Sequence, residues 1–243
     1  MSGLIASDLT VGRPGFRLGP LALDARPGTI TALVGPNGSG KTTLLKTLAG
    51  LIPPISGQIE TTARPALLPA PGSVQAAFST SHLVALGRAA RRPFALSLSP
   101  DDHAAARDAL AAVGLSDRAD KPFDHLSSGQ QQLALLARLT VQDADICLLD
   151  EPTALLDPAH RHQVEAAIRA LAKAGRTVII ATHGLDLAAR ADQVLLAADP
   201  FAVGPPEDML APDRLSALFG VDLDACPCCG QPGFAGQRSA LDA

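Results

Sequence analysis

Length, composition and charge narrow the classes of protein to which this chain can belong. Of its 243 residues, 47% are hydrophobic and 18% are charged, and the formal net charge is −4. One large domain with a sizeable core is therefore expected, and a general nucleic-acid-binding surface is not. The chain has no Trp, no Tyr and seven Phe, which removes the aromatic platforms on which single-stranded nucleic acid usually stacks. We expect no nucleic-acid partner.

Targeting and membrane-spanning patterns are missing from the sequence. A signal peptide begins with a basic stretch followed by an apolar one, and the first residues of this sequence show neither. No run of about 18 apolar residues occurs. Four cysteines are too few for a disulfide scaffold in a chain of 243 residues. These features favour a reducing cytoplasm.

The N-terminal part alternates between β and helical patterns. Short apolar runs separated by Gly and Pro over residues 1–34 predict a small β region. The last of these runs, 29–34, is nearly continuous in apolar or β-branched residues, as is typical of a strand buried on both faces. A helix is predicted over 42–51, because leucines recur at helical spacing until two prolines stop it.

The segment from residue 55 to about residue 100 carries weaker patterns. A strand is expected near its start, an apolar segment lies at 66–69, and a helix is expected around 80–90. An Ala-rich run over 101–113 predicts the next helix, since two acidic residues stand at its N-terminus and Gly114 follows it.

The second half of the chain alternates clearly between helices and strands. Helices are predicted around 128–141, 158–174 and 184–191, and strands around 146–149, 177–181 and 193–197. This alternation predicts an α/β fold in which helices cover both faces of a largely parallel sheet. After about residue 222 the composition turns to Cys, Pro, Gly and Gln, which predicts an irregular tail.

A complete phosphate-binding motif lies between the predicted strand 29–34 and the helix that follows. It matches G-x-x-x-x-G-K-[ST] and consists of Gly35, Pro36, Asn37, Gly38, Ser39, Gly40, Lys41 and Thr42. Its glycines let backbone N–H groups and the helix N-terminus point at an anion. Lys41 is expected to reach the β- and γ-phosphates, and Thr42 to bind Mg²⁺. We include Thr43 among the candidate nucleotide contacts.

Acidic and imidazole side chains follow two of the predicted strands. Asp150 ends the strand at 146–149 and is a candidate Mg²⁺ ligand, while Glu151 beside it is placed to act as the general base for an attacking water. His183 follows the strand at 177–181. The carboxyl ends of parallel strands share one edge of a sheet, so His183 is a candidate sensor of the γ-phosphate and joins Lys41 and Glu151 in the catalytic set.

The segment 126–132 extends this picture, because Leu-Ser-Ser-Gly-Gln-Gln-Gln resembles the LSGGQ signature of the ABC ATPases. The resemblance implies a second anion cradle at a helix N-terminus, which closes on ATP held by another subunit. Asp157 lies in a segment similar to the family's D-loop, and His183 is similar to its switch histidine. A simple P-loop kinase would carry no such signature. The signature residues with a predicted nucleotide contact are Ser127, Ser128, Gly129 and Gln130.

The resemblance covers about residues 3–222 and implies the architecture, ligands and partners of such ATPases. The implied fold is a P-loop NTPase of the ABC type, with a largely parallel core sheet, an N-terminal antiparallel β region and a helical subdomain over about 71–140. The expected domains are 1–222 for the ATPase and 223–243 for the tail. ATP and Mg²⁺ are the implied cofactors. The implied assembly is a head-to-tail homodimer across two ATP, bound to a transmembrane permease and indirectly served by a solute-binding protein, at the cytoplasmic face of the plasma membrane.

Features outside the chemistry indicate a branch of the family. Segments 17–21, 83–88, 157–164 and 218–221 resemble the ATPases of iron-siderophore, haem and cobalamin importers. The leading hypothesis is therefore an ATP-hydrolysing subunit that energises import of a metal chelate. The alternative is a non-transport or regulatory ABC ATPase with altered coupling. It is favoured because Ala70 replaces the Gln that the family carries in its Q-loop, the loop after the second core strand.

Two positions depart from the family's pattern. Members usually carry a Gln after the second core strand, and aligning 65–70 with that strand puts Ala70 there. Because an Ala side chain has no polar atom, Gln75 would have to supply the missing amide from a shifted loop. Members also stack adenine on an N-terminal aromatic residue, often Tyr. Phe16 is the only aromatic before the phosphate-binding motif, and it is either that base platform or an ordinary core residue.

Three tail cysteines, Cys226, Cys228 and Cys229, form a turn that resembles half of a zinc ribbon. A structural Zn²⁺ site normally takes four ligands, and the sequence has no second C-x-x-C pair. A zinc site shared within a dimer, a thiol contact with transported metal, and an inert or redox-active tail all remain open.

Overall fold

A parallel sheet forms the centre of the fold in the computed structural model, which describes residues 3–89, 97–225 and 232–234. Its strands, in spatial order, are β5 (Ala66–Leu68), β6 (Ile146–Asp150), β7 (Thr177–Thr182), β3 (Ile30–Val34), β8 (Gln193–Leu196) and β9 (Ala202–Gly204). The first five run parallel, and β9 pairs antiparallel to β8. Every residue of β3, β6 and β7 is buried, as expected for strands covered on both faces.

A second, antiparallel sheet lies beside the first. It has the order β2 (Phe16–Ala25), β1 (Leu4–Arg13), β4 (Ser56–Glu60). Leucines from β1 and β2 join residues of β3, β6 and α1 (Lys41–Leu48) in one buried cluster between the two sheets. This packing fixes the loop between β3 and α1 against the antiparallel sheet.

Helices cover the sheets and build a separate layer. After α1 they are α2 (Thr80–Ala89), α3 (Pro100–Ala112), α4 (Ser128–Gln142), α5 (Pro158–Lys173), α6 (Leu185–Ala188), α7 (Pro206–Met209) and α8 (Pro212–Phe219). Single 3-10 turns occupy Ser116–Arg118 and Phe123–His125. The α2, α3 and α4 helices pack together around buried Val84, Leu110, Phe123 and Leu136.

The predicted α/β class, with its antiparallel region and its helical layer, is confirmed. The division at residue 222 and the subdomain limits of 71–140 stay predictions. No helix within the described part of the chain is long and apolar enough to cross a membrane.

Several local predictions were wrong, and each has a physical reason. The helix expected over 184–191 ends at Ala188 because the chain tightens there: the N–H groups of Arg190 and Ala191 donate to carbonyl oxygens three residues earlier, at 3.2 Å and 3.1 Å. The helix expected to reach residue 51 ends at Leu48, just before Gly50 with its φ of +71°. In the expected irregular tail, Leu223–Ala225 (β10) pairs antiparallel with Pro232–Phe234 (β11).

Candidate active site

The phosphate-binding loop connects β3 to α1 and depends on two left-handed glycines. Gly38 has a φ of +82° and Gly40 a φ of +92°, a region that L-residues with a Cβ rarely adopt. At Gly40 there is also no space, because a Cβ would lie 2.6 Å from Cζ of Phe16. The glycines therefore let the loop turn tightly into α1, whose first N–H groups are free to meet an anion.

Lys41 is the first residue of α1, and its buried ammonium group lies inside the loop. Its Nζ donates hydrogen bonds to the carbonyl oxygens of Gly35 at 2.8 Å and Pro36 at 3.1 Å. It also lies 3.4 Å from Oε1 of Glu151. Within the described part of the chain, carbonyls and one carboxylate hold this buried cation, which is therefore well placed to receive phosphate oxygens.

Thr42 and Asp150 bring two oxygen donors together at the same edge of the sheet. Oγ1 of Thr42 donates a 2.8 Å hydrogen bond to Oδ2 of Asp150, the last residue of β6. Burial raises the pKa of Asp150, while the Thr42 hydrogen bond acts in the opposite direction. Hydroxyl and carboxylate oxygens are the donors that Mg²⁺ prefers, so the pair fits the predicted metal.

Glu151 connects the loop to the end of β7. Its N–H donates to the carbonyl oxygen of Ala181 at 2.9 Å, and its Oε2 lies 2.7 Å from Nδ1 of His183. Its φ of +49° is uncommon for a residue with a side chain. The carboxylate therefore points along the sheet edge between Lys41 and His183, and all three predicted catalytic residues lie together.

An orphaned polar atom also fits a bound nucleotide. Oγ of Ser39 is buried and has no hydrogen-bond partner in the described part of the structure. Since a buried hydroxyl normally finds a partner, Ser39 has bonding capacity left for a ligand in the loop. The neighbouring Thr43 has its side chain buried within α1, and its predicted nucleotide contact stays a prediction.

The signature segment begins α4, in the helical layer. Ser127 caps this helix: its Oγ accepts from the Gln130 N–H at 3.3 Å, and its own N–H donates to Oε1 of Gln130 at 3.2 Å. Ser128 and Gly129 occupy the first turn. Among the described residues, no hydrogen bond or ion pair joins this segment to the phosphate-binding loop. The predicted contact of the signature with a nucleotide held by another subunit stays a prediction.

Asp157 caps α5 through its carboxylate. Its Oδ1 accepts from the His160 N–H at 2.9 Å, and its Oδ2 accepts from Nδ1 of His160 at 2.6 Å. These hydrogen bonds, the backbone one first, lower the pKa of Asp157. His160 was missed by the sequence reasoning, although its position three residues after a helix-capping aspartate was a usable signal.

Ala70 follows β5 and Phe16 begins β2, and these are the two positions at which the sequence departs from the family's pattern. Leu68 pairs with Leu149 in a parallel register, so Ala70, two residues further along, follows the strand that borders Asp150. Gln75 is exposed in the loop beyond. Phe16, at the start of β2, is partly buried with its ring against Gly40, which brings an aromatic side chain to the loop and leaves both of its predicted roles open.

Three predicted zinc ligands, Cys226, Cys228 and Cys229, lie outside the described residues. The remaining cysteine, Cys147, is buried in β6. Burial raises the pKa of its thiol to about 11, so it is protonated at neutral pH and unsuited to nucleophilic chemistry. The zinc site stays a prediction.

Comparisons with known proteins show what this chain is similar to. A family model described as ABC transporter matches residues 18–154. The hemin import ATP-binding protein HmuV of Pseudomonas entomophila is 37% identical over 227 residues, covering 85% of this chain and 88% of that protein. The protein of the same name from Streptomyces coelicolor is 37% identical over 233 residues, covering 89% and 81%.

Two solved structures extend the comparison to the fold. A metal-chelate type ABC transporter in an inward-facing conformation superposes with a TM-score of 0.85 at 32% sequence identity, covering 92% of this chain and 91% of that one. The cbiO1 protein from Clostridium perfringens, part of the transporter complex cbiONQ, gives a TM-score of 0.73 at 26% identity, covering 88% and 92%.

Proposed function

This chain belongs to the ABC transporter family as the ATP-hydrolysing subunit of an importer, and we propose that it energises the uptake of haem or a closely related metal chelate. The family expected from the sequence motifs is thereby confirmed. The observation that carries the chemistry is the convergence of Lys41, Thr42, Asp150, Glu151 and His183 at one edge of the central sheet.

ATP is bound by the loop between β3 and α1. Lys41 exchanges its bonds to the Gly35 and Pro36 carbonyls for bonds to phosphate oxygens, and the free N–H groups at the start of α1 hold the same anion. Ser39 offers its unpartnered hydroxyl. These contacts position the triphosphate for in-line attack and stabilise the charge that develops in the transition state.

Thr42 and Asp150 would hold Mg²⁺. When bound there, the cation neutralises charge on the phosphate oxygens. The chain's own part is to keep both oxygen donors 2.8 Å apart before any metal arrives. The Asp150 carboxylate must be ionised for this, and burial works against ionisation. Metal binding is therefore expected to weaken in acid.

Glu151 takes the proton of the attacking water, as a general base. His183 holds the carboxylate through its contact at 2.7 Å and remains largely exposed, with 59% of its side chain accessible. It can therefore also reach toward the γ-phosphate. In this arrangement His183 orients the base and senses the nucleotide, and Lys41 holds the phosphate that is attacked.

The subunit works with transmembrane permease subunits, as importers of this family do. We place two copies of it head-to-tail across two ATP at the cytoplasmic face of the plasma membrane. The signature segments at the start of α4 would each face the nucleotide of the other copy, and a solute-binding protein would deliver the substrate on the far side. Support for this assembly comes from the signature segment, which within the described residues makes no hydrogen bond or ion pair with the phosphate-binding loop of its own chain.

The choice of haem is supported by relatives named for hemin import that match most of this chain. The test is transport by proteoliposomes that contain this ATPase and its permease, with haem, a ferric siderophore and cobalamin offered in parallel. Uptake of haem that requires ATP supports the proposal. Uptake of one of the other chelates alone would correct the substrate, and ATP hydrolysis without uptake of any of them would favour the regulatory alternative.

A further inference from the structure

His160 joins two segments that the sequence treats as separate motifs. It is the third residue of α5, and Asp157 caps that helix. Both the backbone N–H and the ring of His160 donate to the two oxygens of the Asp157 carboxylate, at 2.9 Å and 2.6 Å. The carboxylate is thus held by two hydrogen bonds from a single residue, in one fixed orientation.

The ring of His160 also occupies the space next to Gly129 in the signature segment. A Cβ at Gly129 would lie 2.4 Å from Cγ, 2.5 Å from Cδ2 and 2.7 Å from Cβ of His160. Gly129 lies in the first turn of α4. Glycine is required here because the imidazole packs directly on its backbone, and any side chain would push the two helices apart.

These contacts fix the spacing between two helix N-termini. The α4 and α5 helices pack against each other, and each begins with a capping residue, Ser127 in one and Asp157 in the other. The imidazole lies between the Asp157 carboxylate and the backbone of Gly129. A shift of the Asp157 loop relative to the signature segment would have to break the Nδ1 hydrogen bond or lift the ring from Gly129.

We propose that His160 is a positioning residue that locks Asp157 and the signature segment together, so that both reach the nucleotide of the second copy as one surface. The inference rests on the proposed head-to-tail dimer, in which both segments face that nucleotide. His160 itself touches neither ATP nor the reacting atoms. Its effect is on dimer closure, and through closure on turnover.

The contribution of the imidazole can be tested separately from the helix cap that the His160 backbone N–H makes with Asp157. The hydrogen bond from the His160 backbone N–H to Asp157 is independent of the side chain, so every non-proline residue at position 160 keeps it. His160→Phe keeps a ring over Gly129 and removes the Nδ1 donor. His160→Asn keeps a side-chain donor within a smaller group. His160→Ala removes both, and His162→Ala, an exposed histidine on the same helix, is the matched control.

The experiment measures ATP-dependent dimerisation by sedimentation velocity in a Glu151→Gln background, in which hydrolysis is blocked. His160→Ala is expected to weaken dimerisation about tenfold, with the Phe and Asn variants between it and the control. ATP affinity measured at concentrations where the chain is monomeric is expected to stay unchanged. With Glu151 present, kcat falls while KM holds, and raising the protein concentration restores kcat.

Three outcomes would overturn the inference. Dimerisation of His160→Ala equal to that of His162→Ala removes the positioning role and leaves the dimer standing. Parallel losses of melting temperature and monomer ATP affinity would make His160 a general structural residue. If the Glu151→Gln chain itself stays monomeric with ATP, the proposed dimer fails first, and the role of His160 fails with it.

Discussion

Nδ1 of His183 lies 2.7 Å from Oε2 of Glu151, which joins the ends of two neighbouring core strands through their side chains. The two residues follow β7 and β6, and these strands pair in parallel with Asp150 opposite Ala181. The contact holds the carboxylate while its other oxygen faces Lys41. The proposed general base is therefore already oriented by these contacts.

Replacing Glu151 tests that assignment directly. Glu151→Gln is expected to lower ATP turnover about 10²- to 10⁴-fold, because the amide cannot accept the proton of water, while ATP binding is retained. Phosphate release and nucleotide binding are measured on the same preparation. Glu60→Gln, an exposed carboxylate at the end of β4, is the control. Near-normal turnover in Glu151→Gln would assign the base elsewhere.

Asp150 gives a prediction about pH. Burial raises its pKa, so the folded state binds the proton more tightly than the unfolded state, and stability from this group falls as pH rises through the raised value. Asp150→Asn removes that cost. Its melting temperature should exceed that of the parent by roughly 1–3 °C at pH 7, and the gap should close in acid as the carboxyl of the parent protonates.

The same variant separates stability from catalysis. Asp150→Asn keeps an acceptor for the Thr42 hydroxyl but loses the charge that holds Mg²⁺, so Mg²⁺-dependent turnover is expected to fall about 10²-fold or more. Calorimetric unfolding across pH measures the predicted change in stability, and a Mg²⁺ titration of ATPase activity measures the predicted loss of turnover. A melting temperature of Asp150→Asn below that of the parent at pH 7 would mean that the ionised carboxylate stabilises the fold instead.

Replacing Phe16 tests whether its ring stacks on adenine or only packs in the core. Phe16→Leu fills the space beside Gly40 but offers no ring, so stability should hold while the Kd for ATP rises about fivefold or more. Inorganic triphosphate, which has no base, is the internal control and should bind equally to both forms. Titration calorimetry with the two ligands gives the answer, and unchanged ATP affinity would make Phe16 a core residue.

Replacing Ala70 tests how the ATPase is coupled to the permease. Ala70→Gln is expected to raise permease-stimulated ATPase activity severalfold, because the amide adds a polar contact at the end of β5 that Ala lacks. Basal activity without the permease should change little. If the exposed Gln75 already supplies this contact, then Gln75→Ala will lower the stimulated rate and Ala70→Gln will have no effect. ATPase assays with and without reconstituted permease separate these cases.

The core of the fold was predictable because burial leaves a pattern in the sequence. The β3, β6 and β7 strands are apolar over most of their length, and the helix predicted at 158–174 matches Pro158–Lys173. The α7 and α8 helices, over 206–219, were missed because both are short, although Leu215, Leu218 and Phe219 in α8 have helical spacing and were a usable signal.

The site residues that could be predicted from the sequence are those that lie in short, continuous motifs. Spacing alone identified the phosphate-binding loop with Lys41, and the carboxylates at the end of β6, because the residues of each motif are adjacent in sequence. The ion pair of Lys41 with Glu151 and the packing of His160 on Gly129 join residues from different elements. Such contacts depend on how strands and helices are stacked, which no short motif records.

The contact between Lys41 and Glu151, at 3.4 Å, means that the proposed base is already paired with a cation. The charge that will hold the nucleotide is the same charge that neutralises the carboxylate. A phosphate group that binds Lys41 therefore breaks its ion pair with Glu151, and the same event leaves the carboxylate able to accept a proton from water. Binding of ATP would thus itself free the carboxylate that we propose to act on the attacking water.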